Sequence, residues 1–392
     1  MAPAVCRRAL TIAARNWLWG SITFTLPSGH EIPIRGAEPG PNARVFIRDL
    51  RCLRRVMTAA DIGFAEGYLA GEWDTPDLIS VLESVSLNFD RLSQLANGAA
   101  WKRVVNYVVH LLRVNTPAGA RRNIHAHYDL GNAFYARWLD SGMTYSAAWF
   151  GADDETLEQA HRNKYVALAT RMDLKPGHRV LELGCGWGGF AEFAALELDV
   201  HVTAVTISRA QYEFAKRRLF EAGLADRVDV RLADYRDIEG DFDRVASIEM
   251  FEAVGERYWP AYFESIRARL KPGGLAGLQV ITIRDELFEH YRGRADFIQK
   301  YVFPGGMLPS EARLREETER AGLDWRGAVR FGEHYAHTLH LWRERFEAQR
   351  TQIASLGFDE RFYRLWRFYL SYCEAGFRTG RTNVVQLVLA KP

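Results

Sequence analysis

The stretch LELGCGWGGF (residues 181–190) continues the strand-like segment HRVL (178–181) and decides the fold of this chain. Four of its ten residues are glycine, so the backbone can turn sharply from a strand into a helix and approach a bound molecule closely. Amide groups at the start of the following helix would point towards that molecule. In a parallel sheet such a loop lies at the carboxyl end of a strand, where ligands bind. The stretch therefore predicts a site for a phosphate, a dinucleotide or a nucleoside.

The residues around the glycines separate these ligands. No Gly-Lys-Ser/Thr follows the loop, which excludes a phosphate-binding P-loop. A dinucleotide site would place an acidic residue at the end of the second strand, whereas this chain has VTISRAQ (205–211) there. Glu182 precedes the first glycine, and Glu-x-Gly-x-Gly after an apolar strand is typical of class I methyltransferases, which bind S-adenosylmethionine. A structural strand–turn–helix that binds nothing is the alternative.

Strands and helices alternate on both sides of this loop. Helical segments separate apolar strands that are predicted at HRVLELG (178–184), DVHVTAVTIS (199–208), RVDVRLAD (227–234), FDRVASIEM (242–250) and GLAGLQVITI (274–283). This alternation predicts an α/β fold with a doubly wound, mostly parallel sheet, as in the Rossmann-like class I methyltransferases. The last hundred residues are mostly helical by pattern. NVVQLVLAKP (383–392) is predicted to be a final strand at the sheet edge.

The N-terminal part of the chain has a different pattern. SITFTLPSGHEIPI (21–34) alternates around a Pro-Ser-Gly turn and predicts a β-hairpin, which helical segments follow. The length of 392 residues suits two domains. We therefore expect a smaller α+β domain at 1–115 and a catalytic domain at 116–392.

Charge and amphipathicity indicate a surface partner for the first domain. Residues 1–126 hold 15 Lys and Arg against 10 Asp and Glu, although the whole chain has a net charge of only +2. AAWKRVVNYVVHLLRVN (99–115) would carry apolar residues on one helical face and basic residues towards the other, as in helices that lie in a bilayer interface. Packing on its own domain is the alternative. We expect peripheral contact with a membrane surface and no nucleic-acid partner.

The cysteines and the hydropathy indicate the compartment. The four cysteines lie far apart and form no CxxC pair, so we expect neither a metal site nor a disulfide framework, and a reducing cytoplasm fits best. No run of 18 apolar residues occurs, and the N-terminus lacks a signal-peptide pattern. The sequence thus predicts a cytoplasmic protein that at most lies on a membrane.

Several motifs together resemble the cyclopropane-fatty-acyl-phospholipid synthases and their mycolic-acid and methyl-branching relatives. The resemblance covers most of the chain and rests on FAEGYLAGEWD (64–74), HYDLGNAFYARWLDSGMTYSAAWF (127–150), LELGCGWGGF (181–190), MFEAVGERYW (250–259), YVFPGGMLPS (301–310) and YCEAGFRTG (372–380). The first of these resembles the N-terminal domain of the phospholipid-acting branch, which implies that residues 1–115 associate with lipid or membrane.

The resemblance implies methyl transfer from S-adenosylmethionine to a cis double bond in an unsaturated phospholipid acyl chain. It places the enzyme at the inner membrane surface and permits a homodimer. Methylation leaves a carbocation, so the site must exclude water and supply electron-rich groups. A bound base then removes one proton. The product is a cyclopropane or a methyl-branched chain, depending on which proton leaves.

In the family the base is a bound bicarbonate ion. The resemblance assigns Glu252 and Tyr335 to its glutamate and tyrosine ligands and Ile281 to a backbone ligand. Two positions differ, because Gln279 replaces a histidine and Ala147 replaces a cysteine. Gln279 can still donate a hydrogen bond to an anion, but it cannot carry positive charge or relay a proton. We expect an anion pocket with altered electrostatics, and both products stay open.

The resemblance also implies a set of residues that bind S-adenosylmethionine. These are Tyr145 and Ser146 over its methionine part, Gly184 and Gly186 under it, Thr206 and Gln211 in place of a ribose-binding acid, Tyr235 beside the adenine, and Ile248.

Two other functions stay open at this stage. One is methylation of a small soluble amine or phenol, for which the N-terminal domain would be unusual. The other is a non-catalytic lipid-binding protein, which the replacements at Ala147 and Gln279 favour. At single positions, Glu252 could be a capping or salt-bridged carboxylate and Tyr335 a core residue.

Overall fold

The computed structural model describes residues 14–96, 130–152 and 154–392. The strands are β1 (Trp19–Thr25), β2 (Glu31–Arg35), β3 (Glu38–Ile47), β4 (Trp73–Asp74), β5 (Arg179–Leu183), β6 (His201–Thr206), β7 (Val228–Leu232), β8 (Phe242–Ile248), β9 (Leu270–Ile283), β10 (Asp324–Arg330) and β11 (Thr382–Ala390). The helices are α1 (Arg51–Leu69), α2 (Leu78–Ala96), α3 (Asn132–Tyr135), α4 (Leu157–Arg171), α5 (Gly189–Leu198), α6 (Arg209–Glu221), α7 (Trp259–Arg269), α8 (Asp285–Arg292), α9 (Phe297–Tyr301), α10 (Glu311–Arg320), α11 (Gly332–Ala348), α12 (Arg350–Ser355) and α13 (Glu360–Arg378). Within the described ranges, no helix has the length and apolar character that a bilayer span requires.

The chain divides into two compact units, and neither is one continuous stretch. One unit comprises 1–112, 293–302 and 339–381, and the other comprises 113–292, 303–338 and 382–392. The first unit therefore combines the N-terminal strands with α9, α12 and α13, which come from the C-terminal part of the chain. The predicted boundary between 115 and 116 and the predicted amphipathic helix 99–115 lie outside the described residues.

The second unit is built on a seven-stranded sheet in the order β10-β11-β9-β8-β5-β6-β7. The five strands β5 to β9 run parallel to one another, while β11 is antiparallel to both β9 and β10. Helices α5, α6 and α7 connect β5 to β6, β6 to β7 and β8 to β9, and a short 3-10 turn lies between β7 and β8. The predicted α/β fold with a doubly wound, mostly parallel sheet is confirmed, and each of the five strands predicted between 178 and 283 is present.

Each face of this sheet has its own apolar core. Side chains alternate along β5, so that Val180 faces one core while Leu181 and Leu183 face the other. The first core packs against α4, α5 and α6, and the second contains Trp259 and Phe263 of α7. Burial on both faces explains why the parallel strands read as nearly continuous apolar runs.

The first unit holds a four-stranded sheet in the order β2-β1-β3-β4. The predicted hairpin is confirmed, because β1 and β2 pair antiparallel from Ser21–Arg35 to Thr25–Glu31. Helix α2 packs on β1 and β3 and also on α13. The guanidinium of Arg364 in α13 lies 3.9 Å from the ring centroid of Tyr68. This unit combines strands and helices but also includes 293–302 and 339–381, whereas the sequence analysis expected a domain of residues 1–115, and those expected bounds stay a prediction.

The prediction for the C-terminal strand was wrong in its position. NVVQLVLAKP was expected at the sheet edge, but β11 lies between β9 and β10, and its residues 384–390 are all buried. The edge strand is β10, in a region that was read as mostly helical. An unbroken apolar run such as VVQLVLA suits a strand covered on both faces, and this signal was available in the sequence.

We expect Trp259→Ala to destabilise the second unit by about 3–5 kcal/mol, because it removes a fully buried indole and leaves a cavity. The ring of Trp259 is 0% exposed and stacks on Phe251 at 5.3 Å. Urea unfolding followed by circular dichroism measures the effect. The matched control is Phe220→Ala, since that ring is 73% exposed and its loss should change stability by less than about 0.5 kcal/mol. Equal unfolding midpoints for the two variants would contradict this assignment.

Candidate active site

The glycine loop after β5 adopts a conformation that needs glycine. Gly184 and Gly186 have φ angles of 77° and 52°, in the left-handed region. The amide of Gly184 donates to the carbonyl of Val205 at 3.0 Å, which ties the loop to the end of β6. A Cβ on Gly184 would lie 2.5 Å from Cγ of Met250, whereas a Cβ on Gly186 would meet nothing within 4 Å. The loop therefore contacts the segment after β8 on one side and borders open space at Gly186.

The next loop, after β6, brings together two predicted cofactor residues. The hydroxyl of Thr206 donates to Oε1 of Gln211 at 2.9 Å and accepts from the amide of Ser208 at 3.1 Å. Both predicted residues are buried. The Ser208 side chain caps α6, whose first turn carries Gln211. The sequence VTISRAQ thus places a hydroxyl and an amide together at the carboxyl end of β6.

Two buried oxygens near these loops have no hydrogen-bond partner within the described part of the protein. They are Oε2 of Glu182, at the end of β5, and Oη of Tyr235, in the turn after β7. Burial raises the pKa of Glu182 to about 8 and that of Tyr235 to about 12, so both hold a proton at neutral pH. Unsatisfied buried groups are rare in proteins. Together with the glycine loop, they fit a ligand that carries hydroxyl and amino groups, as S-adenosylmethionine does.

The predicted residues Tyr145 and Ser146 lie in an irregular segment, residues 144–150, which we call the strap. The ring of Tyr145 packs against Tyr135 and Trp138, with centroids 5.5 Å away in each case. The hydroxyl of Ser146 accepts a 2.6 Å hydrogen bond from Nζ of Lys164, a fully buried residue of α4. Burial lowers the pKa of Lys164 to about 8. This value still lies above neutral pH, so Lys164 remains mostly charged, and the carboxylates of Glu249 and Asp140 favour its charged form.

A histidine and an aspartate fix the start of the strap. Nε2 of His161 lies 3.1 Å from the carbonyl of Ser146, and its Nδ1 lies 3.4 Å from Oδ1 of Asp140. Asp140 also accepts the amides of Gly142 at 3.0 Å and Thr144 at 2.9 Å. Burial lowers the pKa of His161, so its ring is neutral at neutral pH. The strap is thus positioned by a neutral imidazole and an ionised carboxylate.

Three of the predicted catalytic residues converge on a carboxylate that the sequence analysis did not name. Glu249, the first residue after β8, accepts hydrogen bonds from the amide of Ala147 at 2.8 Å and from Nε2 of Gln279 at 2.8 Å, both at Oε1. Its Oε2 accepts from the hydroxyl of Tyr335 at 2.7 Å. The donors come from the strap, β9 and α11. Three donors aimed at one carboxylate stabilise its ionised form.

The other two predicted catalytic residues form a second contact nearby. Oε1 of Glu252 accepts the amide of Ile281 at 2.5 Å, while its buried Oε2 has no partner among the described residues. Burial and, to a lesser extent, the charge of Glu249 raise the pKa of Glu252 to about 8. Burial also raises the pKa of Glu249, but the charge of Lys164 and the three donors oppose this. The three donors and the charge of Lys164 thus favour the ionised form of Glu249, whereas Glu252, with a pKa of about 8, carries a proton at neutral pH.

Gln386 of β11 determines which way the Gln279 amide points. Nε2 of Gln386 donates to Oε1 of Gln279 at 3.1 Å and to the carbonyl of Lys164 at 3.0 Å. Because Oε1 of Gln279 accepts this bond, its Nε2 is directed towards Glu249. The two glutamines are opposite each other in the β9–β11 register. Ile248, a predicted cofactor residue, ends β8 directly opposite Gln279 on the other neighbouring strand.

The sequence analysis missed three residues of this site. Glu249 could have been noticed as an acid at the carboxyl end of a predicted parallel strand, the position where such sheets bind ligands. Gln386 interrupts an apolar strand and is a second available signal. Lys164 gives none, because a lysine in a helix with mixed residues usually faces solvent.

This chain is similar to known lipid-modifying enzymes over most of its length. Residues 116–387 match the mycolic acid cyclopropane synthetase family. The tuberculostearic acid methyltransferase UfaA1 of Mycobacterium tuberculosis is 40% identical over 377 residues, covering 91% of this chain and 84% of that protein. The cyclopropane-fatty-acyl-phospholipid synthase of Escherichia coli K12 is 33% identical, covering 98% of this chain and 96% of that protein.

The solved structures lead to the same group. The crystal structure of mycolic acid cyclopropane synthase CmaA1, complexed with SAH and CTAB, has a TM-score of 0.66 and 31% identity, and covers 69% of this chain and 98% of that one. S-adenosylmethionine is therefore the co-substrate, and the glycine loop and buried oxygens described above suit it. The chain belongs to the mycolic acid cyclopropane synthetase family and is an S-adenosylmethionine-dependent methyltransferase of the cyclopropane-fatty-acyl-phospholipid synthase type.

Proposed function

We propose that this enzyme methylates the cis double bond of an unsaturated acyl chain in membrane phospholipid and that a base then removes one proton. The product is a cyclopropane or a methyl-branched chain. The observation that carries this proposal is the contact between the glycine loop and the segment after β8, where Gly184 packs on Met250. Met250 lies between Glu249 and Glu252 in the sequence. The carboxylates thus lie next to the loop proposed to hold the methyl donor.

The chemistry explains why such an arrangement is useful. S-adenosylmethionine, when bound, supplies an electrophilic methyl group on a sulfonium centre. An alkene is a weak nucleophile, so the protein must hold the two reactants in contact and exclude water from the carbocation that forms. In the aromatic cluster of Tyr135, Trp138 and Tyr145, the first two rings are fully buried and support Tyr145, whose partly exposed ring can attract positive charge. We assign to this cluster the role of lining the methyl-transfer site.

The identity of the acceptor is supported by the extent of the similarity. The Escherichia coli relative, whose name specifies fatty-acyl-phospholipid, aligns with nearly the whole of this chain, including the N-terminal unit. We therefore propose that the N-terminal unit contacts a membrane surface and that the enzyme works on the cytoplasmic face of the inner membrane. The basic segment 99–115 is the proposed contact.

The direct test is methyl transfer from labelled S-adenosylmethionine to vesicles of a cis-monounsaturated phosphatidylglycerol or phosphatidylethanolamine. We expect label in the lipid fraction, and vesicles of saturated lipid serve as the matched control that should stay unlabelled. Gas chromatography with mass spectrometry of the methyl esters then separates a ring from a branch. Label in a small soluble amine or phenol, with none in lipid, would contradict the proposal.

A second prediction concerns Gln386, which positions another residue. Gln386→Leu removes the donor to Oε1 of Gln279, so the Gln279 amide can rotate away from Glu249. We expect kcat to fall by about 10- to 100-fold, as misplacement of a positioned group commonly causes. The Kd for S-adenosylhomocysteine should change little, because the side chain of Gln386 donates to Gln279 and to the carbonyl of Lys164, neither of which is a predicted cofactor residue. Turnover assays and calorimetry measure the two quantities.

The control for this variant is Gln352→Leu, at an exposed residue of α12. It should keep the wild-type kcat. If Gln386→Leu also kept the wild-type kcat while remaining folded, the proposed role of the Gln279 orientation would be refuted.

A further inference from the structure

The donors that the family resemblance assigns to a bicarbonate ion are engaged by a carboxylate of the protein itself. The amide of Ala147, Nε2 of Gln279 and the hydroxyl of Tyr335 all donate to Glu249. The Gln279 Nε2 group also lies 3.5 Å from the carbonyl of Ala147, so its second hydrogen has an acceptor as well. The N–H and O–H groups that these three residues would offer to a bicarbonate ion are therefore all used in hydrogen bonds within the protein.

Of the other expected ligands, the amide of Ile281 is also in use, and only Oε2 of Glu252 has no partner among the described residues, which leaves a single group to hold an ion. The amide of Ile281 donates to Glu252, whose other oxygen is buried. A bicarbonate ion placed here would lie beside two carboxyl groups, one of them ionised, and like charges at close range repel each other strongly at a dehydrated site. The residues present therefore do not fit a bicarbonate ion.

The backbone at Glu249 is itself unusual. Its φ angle is 49°, in the left-handed region that glycine adopts freely and other residues adopt at a cost. Its amide donates to the carbonyl of Gln279 at 2.8 Å, which holds this conformation against β9. A strained non-glycine residue that the surrounding structure keeps in place points to a functional role for its side chain.

We propose that the carboxylate of Glu249 is the base of this enzyme and takes the place that bicarbonate has in the family. This inference rests on the proposed function. The π electrons of the double bond form the bond to the new methyl carbon, while the S–CH3 bond pair stays on sulfur. A carboxylate oxygen of Glu249 then accepts one proton from the carbocation. The C–H bond pair closes the cyclopropane ring or forms a new double bond in the branched chain; both products are at the same oxidation level, so no oxidant or reductant is needed.

The surroundings of Glu249 suit a base of this kind. Its three donors are buried, with Ala147 and Gln279 at 0% and Tyr335 at 6% exposure, whereas Glu249 itself is only half-buried. The residue is thus more accessible than the three residues that donate to it, and their hydrogen bonds fix the position of its carboxylate. Burial raises its pKa, which makes it a stronger proton acceptor than an ordinary carboxylate, and the charge of Lys164 helps to keep it ionised.

The wild-type enzyme gives the first test. Its transfer of labelled methyl to cis-monounsaturated vesicles should be the same in bicarbonate-free buffer, prepared under nitrogen, as in buffer with added bicarbonate. Calorimetric titration of bicarbonate into the wild type should show no binding. Loss of turnover without bicarbonate, or measurable bicarbonate binding, would overturn the assignment of the base to Glu249.

The decisive variant is Glu249→Gly, because glycine suits the left-handed backbone and its small size vacates the space among the three donors. We expect kcat in bicarbonate-free buffer to fall by about 100-fold or more, and to rise by about tenfold or more when bicarbonate is added. The variant should also bind bicarbonate in the calorimeter. Thermal melting and S-adenosylhomocysteine binding establish that it is folded. Full activity without bicarbonate, or a folded variant that does not respond to it, would overturn the proposal.

Two further variants complete the experiment. Asp173→Gly makes the same change at another left-handed position, with φ of 48°, on an exposed turn, and should have wild-type activity with no response to bicarbonate. Glu249→Gln fills the same space without a base, so it should be as inactive as the glycine variant and should not be rescued; retained activity would refute the proposal. If the wild type labels no lipid at all, the proposed function fails, and the bicarbonate titrations still decide whether Glu249 excludes the ion.

Discussion

The hydrogen bonds to the carboxylate of Glu249 hold the active site together. They join four segments that are distant in sequence: the strap at Ala147, the end of β8, Gln279 in β9 and Tyr335 in α11. A hydrogen bond to a charged group contributes about 1.5–3 kcal/mol, and a buried donor left without a partner costs about as much. The carboxylate therefore orders the donors, and the donors in turn favour its ionised form.

The parallel sheet decides which loops can meet at this carboxylate. Strands β5, β6 and β8 all end at the same edge, so the glycine loop, the Thr206 loop and the segment after β8 lie side by side. Gly184 has no side chain, and Met250 occupies the space that one would need. The glycine thus serves two purposes, since it permits the turn and allows the loop to approach the acidic segment closely.

The C-terminal strand β11 lies far from the glycine loop in sequence, yet it contributes Gln386 to the site. Insertion of β11 between β9 and β10 places Gln386 opposite Gln279. A histidine at position 279 would carry its own donor and could be charged, whereas a glutamine amide has to be oriented by a neighbour. The glutamine at position 279 is accompanied by a second glutamine, Gln386, on the adjacent strand. Both neutral side chains suit the proposal that the negative charge in this site is the carboxylate of Glu249 and not a bound anion.

The sequence by itself determined the fold class, the methyl donor and the family, because these depend on local patterns: a glycine loop after an apolar strand, regular alternation of strands and helices, and contiguous motifs. It also named Glu252, Gln279 and Tyr335 as neighbours, through their resemblance to family motifs. Only the tertiary structure decided that Glu249, three residues before Glu252, accepts most of the donors. The reason is that Glu249 has a left-handed backbone and a short 3-10 turn follows it, so the side chains of Glu249 and Glu252 point to different partners. Those partners lie on strands and helices that are distant in sequence and come together only in the folded protein.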